Sequence, residues 1–234
     1  MPMRLLLLSN STGPDSGYLD WCEEAITEFA GDARRMLFIP FAGVDEREYG
    51  ETAVKRLSSM GFDATWLDRW APGPSALGDA EVVFIGGGNT FLLLDRLIST
   101  GLLDAIRDAV QSGLPYVGTS AGTNVAGPTI RTTNDMPIVQ PPSFDAMGLV
   151  PFQINPHYID RDPDSTHQGE TREQRLLEFL TQNDTPVVAL REGTALEVSD
   201  GAIKVRGEAG ARIYRQGLEP LEVPAGTQIN LLIN

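Results

Sequence analysis

The chain has 234 residues, with 32 acidic against 18 basic side chains, a formal net charge of −14. So acidic a chain lacks the cationic surface by which a general nucleic-acid binder releases phosphate counterions. No apolar run approaches the roughly 20 residues of a bilayer span, and Leu5–Leu8 is too short for a signal-peptide core. The expectation is therefore a cytoplasmic protein with neither nucleic acid nor membrane as partner. One cysteine, Cys22, excludes an internal disulfide and a thiolate metal cluster, so the fold must rest on its apolar core.

The elements follow in chain order. Leu5–Leu8 reads as a buried strand that ends at Ser9-Asn10-Ser11. Leu19, Cys22, Ile26 and Phe29 recur at spacings of three and four, one face of a helix. Met36–Ile39 is a second strand, closed by Pro40, and Val54, Leu57 and Met60 mark a second helix that Gly61 stops. Ala64–Leu67 and Val82–Ile85 are further strands. After Gly86-Gly87-Gly88 the helical pattern of Thr90–Ser99 begins, then a helix over Leu102–Ser112, then a fifth strand, Pro115–Thr119.

This alternation, with strands apolar on both faces, predicts an α/β fold with a doubly wound, mostly parallel sheet. In such sheets ligands lie beyond the carboxyl ends of the strands. The loops after Leu8, Ile39, Ile85 and Thr119 are the ones to inspect. Residues 126–150 are proline-rich and lack periodicity, a length of irregular chain that is usually functional. Val187–Leu190 is a late buried strand. Ala195–Val198, Ile203–Val205 and Arg212–Tyr214 alternate around Asp200-Gly201, which predicts a small antiparallel extension at the C-terminal end. No repeat or linker interrupts the chain, and one domain over 1–234 is expected.

Gly118-Thr119-Ser120-Ala121-Gly122 fits G-x-S-x-G directly after an apolar strand, the pattern of a nucleophile elbow. The serine must sit on a sharp strand-to-helix turn, and small residues two positions either side let strand and helix approach. The following helix N-terminus offers N–H groups to an oxyanion. A serine nucleophile needs a base, and the chain has only His157 and His167. His157 follows the apolar Phe152–Ile154 at a strand end, and His167 lies in a polar stretch that reads as solvated surface. An orienting carboxylate completes the chemistry. Glu192, just after the Val187–Leu190 strand, is favoured by position, and Asp135 is the alternative. Gly86-Gly87-Gly88-Asn89-Thr90 is a second strand-to-helix turn. It has neither the lysine nor the spacing of a P-loop, so an oxyanion hole built from Gly87 or Gly88 with Ala121 is preferred to a phosphate cradle.

Longer motifs carry a resemblance. Leu5–Ser11 (LLLLSNS), Phe38–Val44 (FIPFAGV), Gly86–Phe91 (GGGNTF), Ser120-Ala121-Gly122, Pro128–Val139 (PTIRTTNDMPIV), Gln153–His157 (QINPH) and Gly169–Arg175 (GETREQR) together resemble the peptidase E family of α-aspartyl dipeptidases. The resemblance spans nearly the whole chain and implies a flavodoxin-like sheet related to class I glutamine amidotransferases. It also implies a Ser-His-Glu triad that cleaves dipeptides with an N-terminal aspartate. On this chain those roles fall on Ser120, His157 and Glu192, with Asp135 as the other acid considered in that family. Thr119 departs from the pattern, which has Trp there in close relatives.

A site that selects aspartate must bind a carboxylate, for which arginine's planar fork is suited. Arg172 is the first candidate and Arg131 the second. The substrate's amino group needs an acceptor, for which Asp135, Glu170 and Asn89 are available. No cofactor or metal is expected, because two histidines and one cysteine give no ligand spacing. The expected partner is a small acidic dipeptide, and a homodimer is compatible with the chain. Two other readings stand beside this one. One is a cyanophycinase-like hydrolase of β-linked aspartyl peptides, with a cleft open to polymer. The other is a non-catalytic small-molecule-binding protein on the same fold.

Overall fold

Strand–helix alternation carries through the first half of the computed structural model, which describes residues 2–13, 15–70, 74–162, 164, 166, 169–199 and 201–230. The order is β1 (Arg4–Leu8), α1 (Glu23–Ala30), β2 (Arg35–Ile39), α2 (Glu46–Ser59), β3 (Asp63–Trp66), β4 (Val82–Ile85), α3 (Thr90–Ser99), α4 (Leu102–Gln111), β5 (Tyr116–Thr119) and α5 (Ala121–Asn124). The second half adds β6 (Gln153–Tyr158), α6 (Arg172–Leu180), β7 (Val187–Arg191), β8 (Thr194–Ser199), β9 (Ala202–Gly207), β10 (Ala211–Tyr214), β11 (Leu221–Val223) and β12 (Gln228–Ile229).

The main sheet has eight strands in the order β12-β9-β8-β1-β5-β4-β2-β3. From β1 to β3 every neighbouring pair is parallel. Its two faces belong to two apolar clusters. Leu5 and Leu7 of β1 pack in the cluster that holds Leu93, Leu97 and Ile106 of α3 and α4. Leu6 and Leu8 pack with Ile26, Phe29 and Leu57 of α1 and α2. Side chains alternate across a strand, so a strand of four leucines feeds both layers of a doubly wound sheet, as the sequence predicts.

The predicted C-terminal extension is divided between two sheets. β8 pairs antiparallel with β1, and β9 with β8, so this hairpin widens the main sheet. β10 instead joins a second sheet, ordered β11-β10-β7-β6, in which β6 and β7 are parallel. Over this stretch the chain changes sheets three times, from β7 to β8, from β9 to β10 and from β11 to β12, and a glycine eases each of the first two. Gly193, between β7 and β8, has φ +74°, and Gly210, before β10, has φ +71°, the left-handed region that side chains disfavour. Asp200 of the expected hairpin turn lies outside the described residues.

Two further elements differ from the expectation. α1 begins at Glu23, because Leu19 has φ +62° and cannot sit in a right-handed helix. α6 has no counterpart in the periodicity, since only Leu176 and Leu180 of it are buried. Its start is nevertheless encoded: Thr171 and Gln174 form a reciprocal capping box. Residues 126–150 form turns with one isolated bridge, Thr129 to Asp145. They are packed down by buried Ile130, Met147, Leu149 and Val150.

Candidate active site

The turn from β5 into α5 is built by close backbone approach. A Cβ on Gly122 would lie 2.2 Å from the Ile85 carbonyl oxygen, and one on Gly118 would lie 2.6 Å from the Gly122 carbonyl oxygen. Neither position admits a side chain. Between them Ser120 has φ 51° and ψ −107°, a strained conformation for a residue with a Cβ. Its surroundings hold it there. The Ser120 N–H donates to Leu8 O at 3.0 Å. Thr123 Oγ1 donates to both Leu8 O (2.7 Å) and Gly118 O (2.8 Å). Asn124 Nδ2 donates to Ile154 O at 2.9 Å, which ties the turn to β6. α5 is a single turn of four residues, so its dipole is slight.

His157 arrives from β6 through an irregularity. The β6–β7 register shifts between Asn155 and Tyr158. His157 itself has φ 54°, so the bulge re-aims its ring out of the ladder. Its Nε2 lies 2.9 Å from Ser120 Oγ and its Nδ1 lies 2.7 Å from Glu192 Oε1. With the proton on Nδ1, the ring donates to Glu192 and accepts from the serine hydroxyl. Glu192 stands in the crossing from β7 to β8, where the two sheets meet. Ser120, His157 and Glu192, far apart in sequence, thus form one hydrogen-bonded chain.

Asp135, the alternative acid, is committed elsewhere. Its Oδ2 accepts from the Thr90 N–H (2.7 Å), Thr90 Oγ1 (2.6 Å) and Thr133 Oγ1 (3.2 Å). All three bonds fall on one oxygen, at the N-terminus of α3. Asp135 still belongs to the site, because it lines the small cleft of about 20 Å³ that also contacts Ser120, Ala121, Asn124 and His157. His167, the second histidine, lies outside the described residues.

The glycine-rich turn faces the nucleophile. A Cβ on Gly87 would come 3.1 Å from Ser120 Cβ. Gly88 has φ +134°, and a Cβ there would strike the Ala42 carbonyl oxygen at 2.3 Å. The next N–H, of Asn89, is taken by Ala42 O at 3.0 Å. No acceptor among the described residues takes up the N–H groups of Gly88 or Ala121.

The remaining candidates separate. Arg172 opens α6, is half-buried, and makes no ion pair among the described residues. Burial lowers its pKa first and the nearby Arg175 charge adds to this, while Asp135 acts in the opposite sense. Arg131 is exposed and stacks over Phe144, 5.9 Å from the ring centroid. Asn89 caps α3: its Oδ1 accepts from the Leu92 N–H and its Nδ2 donates to Met136 O. Glu170 is exposed and pairs with Arg175 at 3.7 Å. Ser9 and Asn10, at the end of β1, had no role in the sequence reading, and the structure buries both beside His157 and Glu192. Their signal was position alone, at the carboxyl end of the central strand. No group of side chains suited to a metal ion occurs among the described residues, and no helix there is long and apolar enough to cross a membrane.

A serine on a strained elbow, a histidine within reach of its hydroxyl and a carboxylate behind the histidine define a serine-hydrolase class of site on a doubly wound sheet. Residues 5–206 match peptidase family S51, and the chain belongs to that family. Peptidase E of Streptomyces coelicolor is 49% identical over 232 residues, covering 99% of this chain and 96% of that protein. A probable alpha-aspartyl dipeptidase of Drosophila melanogaster is 44% identical over 214 residues, covering 90% and 89%. A solved structure of a peptidase from an acI-B1 actinobacterium shares the fold at a TM-score of 0.72 and 23% identity, over 98% of both chains.

Proposed function

We propose that the protein is a serine dipeptidase that hydrolyses dipeptides with an N-terminal aspartate. The hydrogen-bonded chain Ser120–His157–Glu192 is the observation that supports this best. The name of the Drosophila melanogaster relative, a probable alpha-aspartyl dipeptidase, indicates the substrate class.

Ser120 Oγ attacks the carbonyl carbon of the aspartyl residue as its proton passes to His157 Nε2. Glu192 holds the Nδ1–H tautomer and stabilises the imidazolium that forms. The N–H groups of Gly88 and Ala121 receive the developing oxyanion. His157 then protonates the leaving amine, and an aspartyl ester remains on Ser120. Water, deprotonated by His157, attacks the ester and releases aspartate.

Specificity is assigned to the flanking charges. Arg172 receives the side-chain carboxylate, since its guanidinium is partly buried, within electrostatic reach of Asp135, and without an ion pair among the described residues. Asp135, with Oδ1 outside its capping bonds and a face on the cleft, accepts the substrate's ammonium group. Arg131 and Asn89 are left to rim packing and helix capping.

The decisive experiment is hydrolysis of Asp-Leu by Ser120→Ala, where kcat/KM is expected to fall by about 10⁴-fold or more. Full activity in that variant would sink the reading. Arg172→Ala tests the specificity, with an expected loss on Asp-Leu of about 10²-fold or more as the substrate carboxylate loses its partner. Kinetics equal to wild type would reassign that role.

A further inference from the structure

Position alone singles out Ser9-Asn10-Ser11 in the sequence, and the reaction scheme leaves this segment unused. Ser9 and Asn10 are polar yet 0% and 1% exposed. Buried side-chain polar groups cost free energy unless paired, so what they pair with is informative.

The Ser9 hydroxyl has two partners, one on each strand of the second sheet. It accepts from the His157 N–H at 2.9 Å and donates to the Leu190 carbonyl at 2.9 Å. The bulge between Asn155 and Tyr158 takes His157 out of the β6–β7 ladder, and Ser9 supplies the acceptor that the ladder no longer offers. His157 is also one of only three non-glycine residues with positive φ among the described residues. Such a conformation is strained for a residue with a Cβ and persists only where the surroundings over-determine it. The neighbouring side chain does the same for the acid. Asn10 Oδ1 accepts from the Gly193 N–H at 2.9 Å, and Asn10 Nδ2 donates to Thr12 O at 3.0 Å. Gly193 directly follows Glu192 and carries the left-handed turn that aims it.

We propose that Ser9 and Asn10 are positioning residues for the hydrolysis, holding the backbone of the base and of the acid from the end of β1. The assignment rests on the serine-dipeptidase reading above. Neither side chain touches a reacting atom. Each fixes a peptide whose residue does, so the His157–Glu192 bond and the His157–Ser120 bond share one anchor on the central strand. That strand also accepts the Ser120 N–H through Leu8 O, so all three members of the hydrogen-bonded chain are referenced to consecutive residues, Leu8, Ser9 and Asn10.

Ser9→Ala, Asn10→Ala and Ser11→Ala would be assayed on Asp-Leu. They would also be labelled with diisopropyl fluorophosphate, and their melting temperatures recorded. Ser9→Ala is expected to lower kcat by about 100-fold, the scale of an ångström misplacement, with KM within about threefold of wild type. Labelling of Ser120 should slow in proportion. Asn10→Ala should lower kcat by about 10-fold. Ser11→Ala, in the same loop but outside these contacts, should match wild type. Values of kcat within about threefold of wild type in both variants, or losses that only follow the folded fraction, would overturn the assignment. If Ser9→Ala fails to fold, Asn10→Ala decides alone. Hydrolysis that survives Ser120→Ala would instead remove the dipeptidase reading, so the two failures are distinguishable.

Discussion

The nucleophile and its two partners are held in opposite ways. The turn around Ser120 is made by steric exclusion: Gly118 and Gly122 sit where a methyl group has no room, against backbone that cannot move aside. The stretch around His157 and Glu192 is open by contrast. A Cβ on Gly193 would meet nothing within 4 Å, and both reacting side chains are about two-fifths exposed. Here precision comes from polar ties: Ser9, Asn10, and an ion-pair group in which Arg191 binds Asp160 and Glu222. A tightly packed backbone and a network of hydrogen bonds reach the same end. The first leaves no alternative geometry, and the second depends on each partner.

Equivalent small changes on the two sides sharpen the contrast. Gly122→Ala should prevent a native elbow, with a stability loss above about 4 kcal/mol and no measurable hydrolysis. Gly193→Ala meets no obstacle and should cost about 1 kcal/mol for its left-handed φ, a fall of about 2–4 °C in Tm. Similar stability losses in the two variants would remove the distinction.

Charge neutralisation tests which acid belongs to the network. Glu192→Gln retains shape but offers the wrong partner to Nδ1–H, and kcat should fall by about 10³-fold. Asp135→Asn should raise KM for Asp-Leu and change kcat by less than about 10-fold. The reverse ranking, read from steady-state kinetics, would exchange the two roles.

The smallest expected effect lies in the ion-pair group and depends on pH. The Arg191 guanidinium holds the Asp160 carboxyl below the usual carboxylate range, first by hydrogen bonding and then by charge, against a desolvation that pushes the other way. A carboxyl with a depressed native pKa adds stability above its unfolded pKa, near 4, and that contribution is lost as pH falls through the native value. Asp160→Asn should therefore lower Tm by about 1–3 °C at pH 7 and leave it unchanged near pH 2. An equal shift at both pH values would show that Asp160 acts through packing rather than charge.

The two regions also differ in how far they could be read in advance. The strands β1, β2, β4 and β5 are legible because they are apolar on both faces, and the boundaries of Val82–Ile85 and Thr90–Ser99 are those of the sequence reading. α6 was not, because two buried leucines make too narrow a stripe for periodicity to register. The split of the C-terminal strands was not legible either. Alternation shows that β8, β9 and β10 each have a buried face, but not which sheet lies opposite it.

Local chemistry in the sequence was enough to place Ser120. Glycines two residues either side of a serine, after an apolar strand, are a steric requirement written in neighbouring residues. The sequence also narrowed the base to two histidines. Its place at the end of a core strand favours Glu192 over Asp135 in the sequence, but which carboxylate lies beside His157 is a tertiary matter: Glu192 meets Nδ1, while Asp135 is turned to Thr90 and Thr133. The same holds for Ser9 and Asn10, whose partners are 148 and 183 residues away. Contacts at that separation exist only once two sheets meet at the end of β1, and no local pattern encodes them.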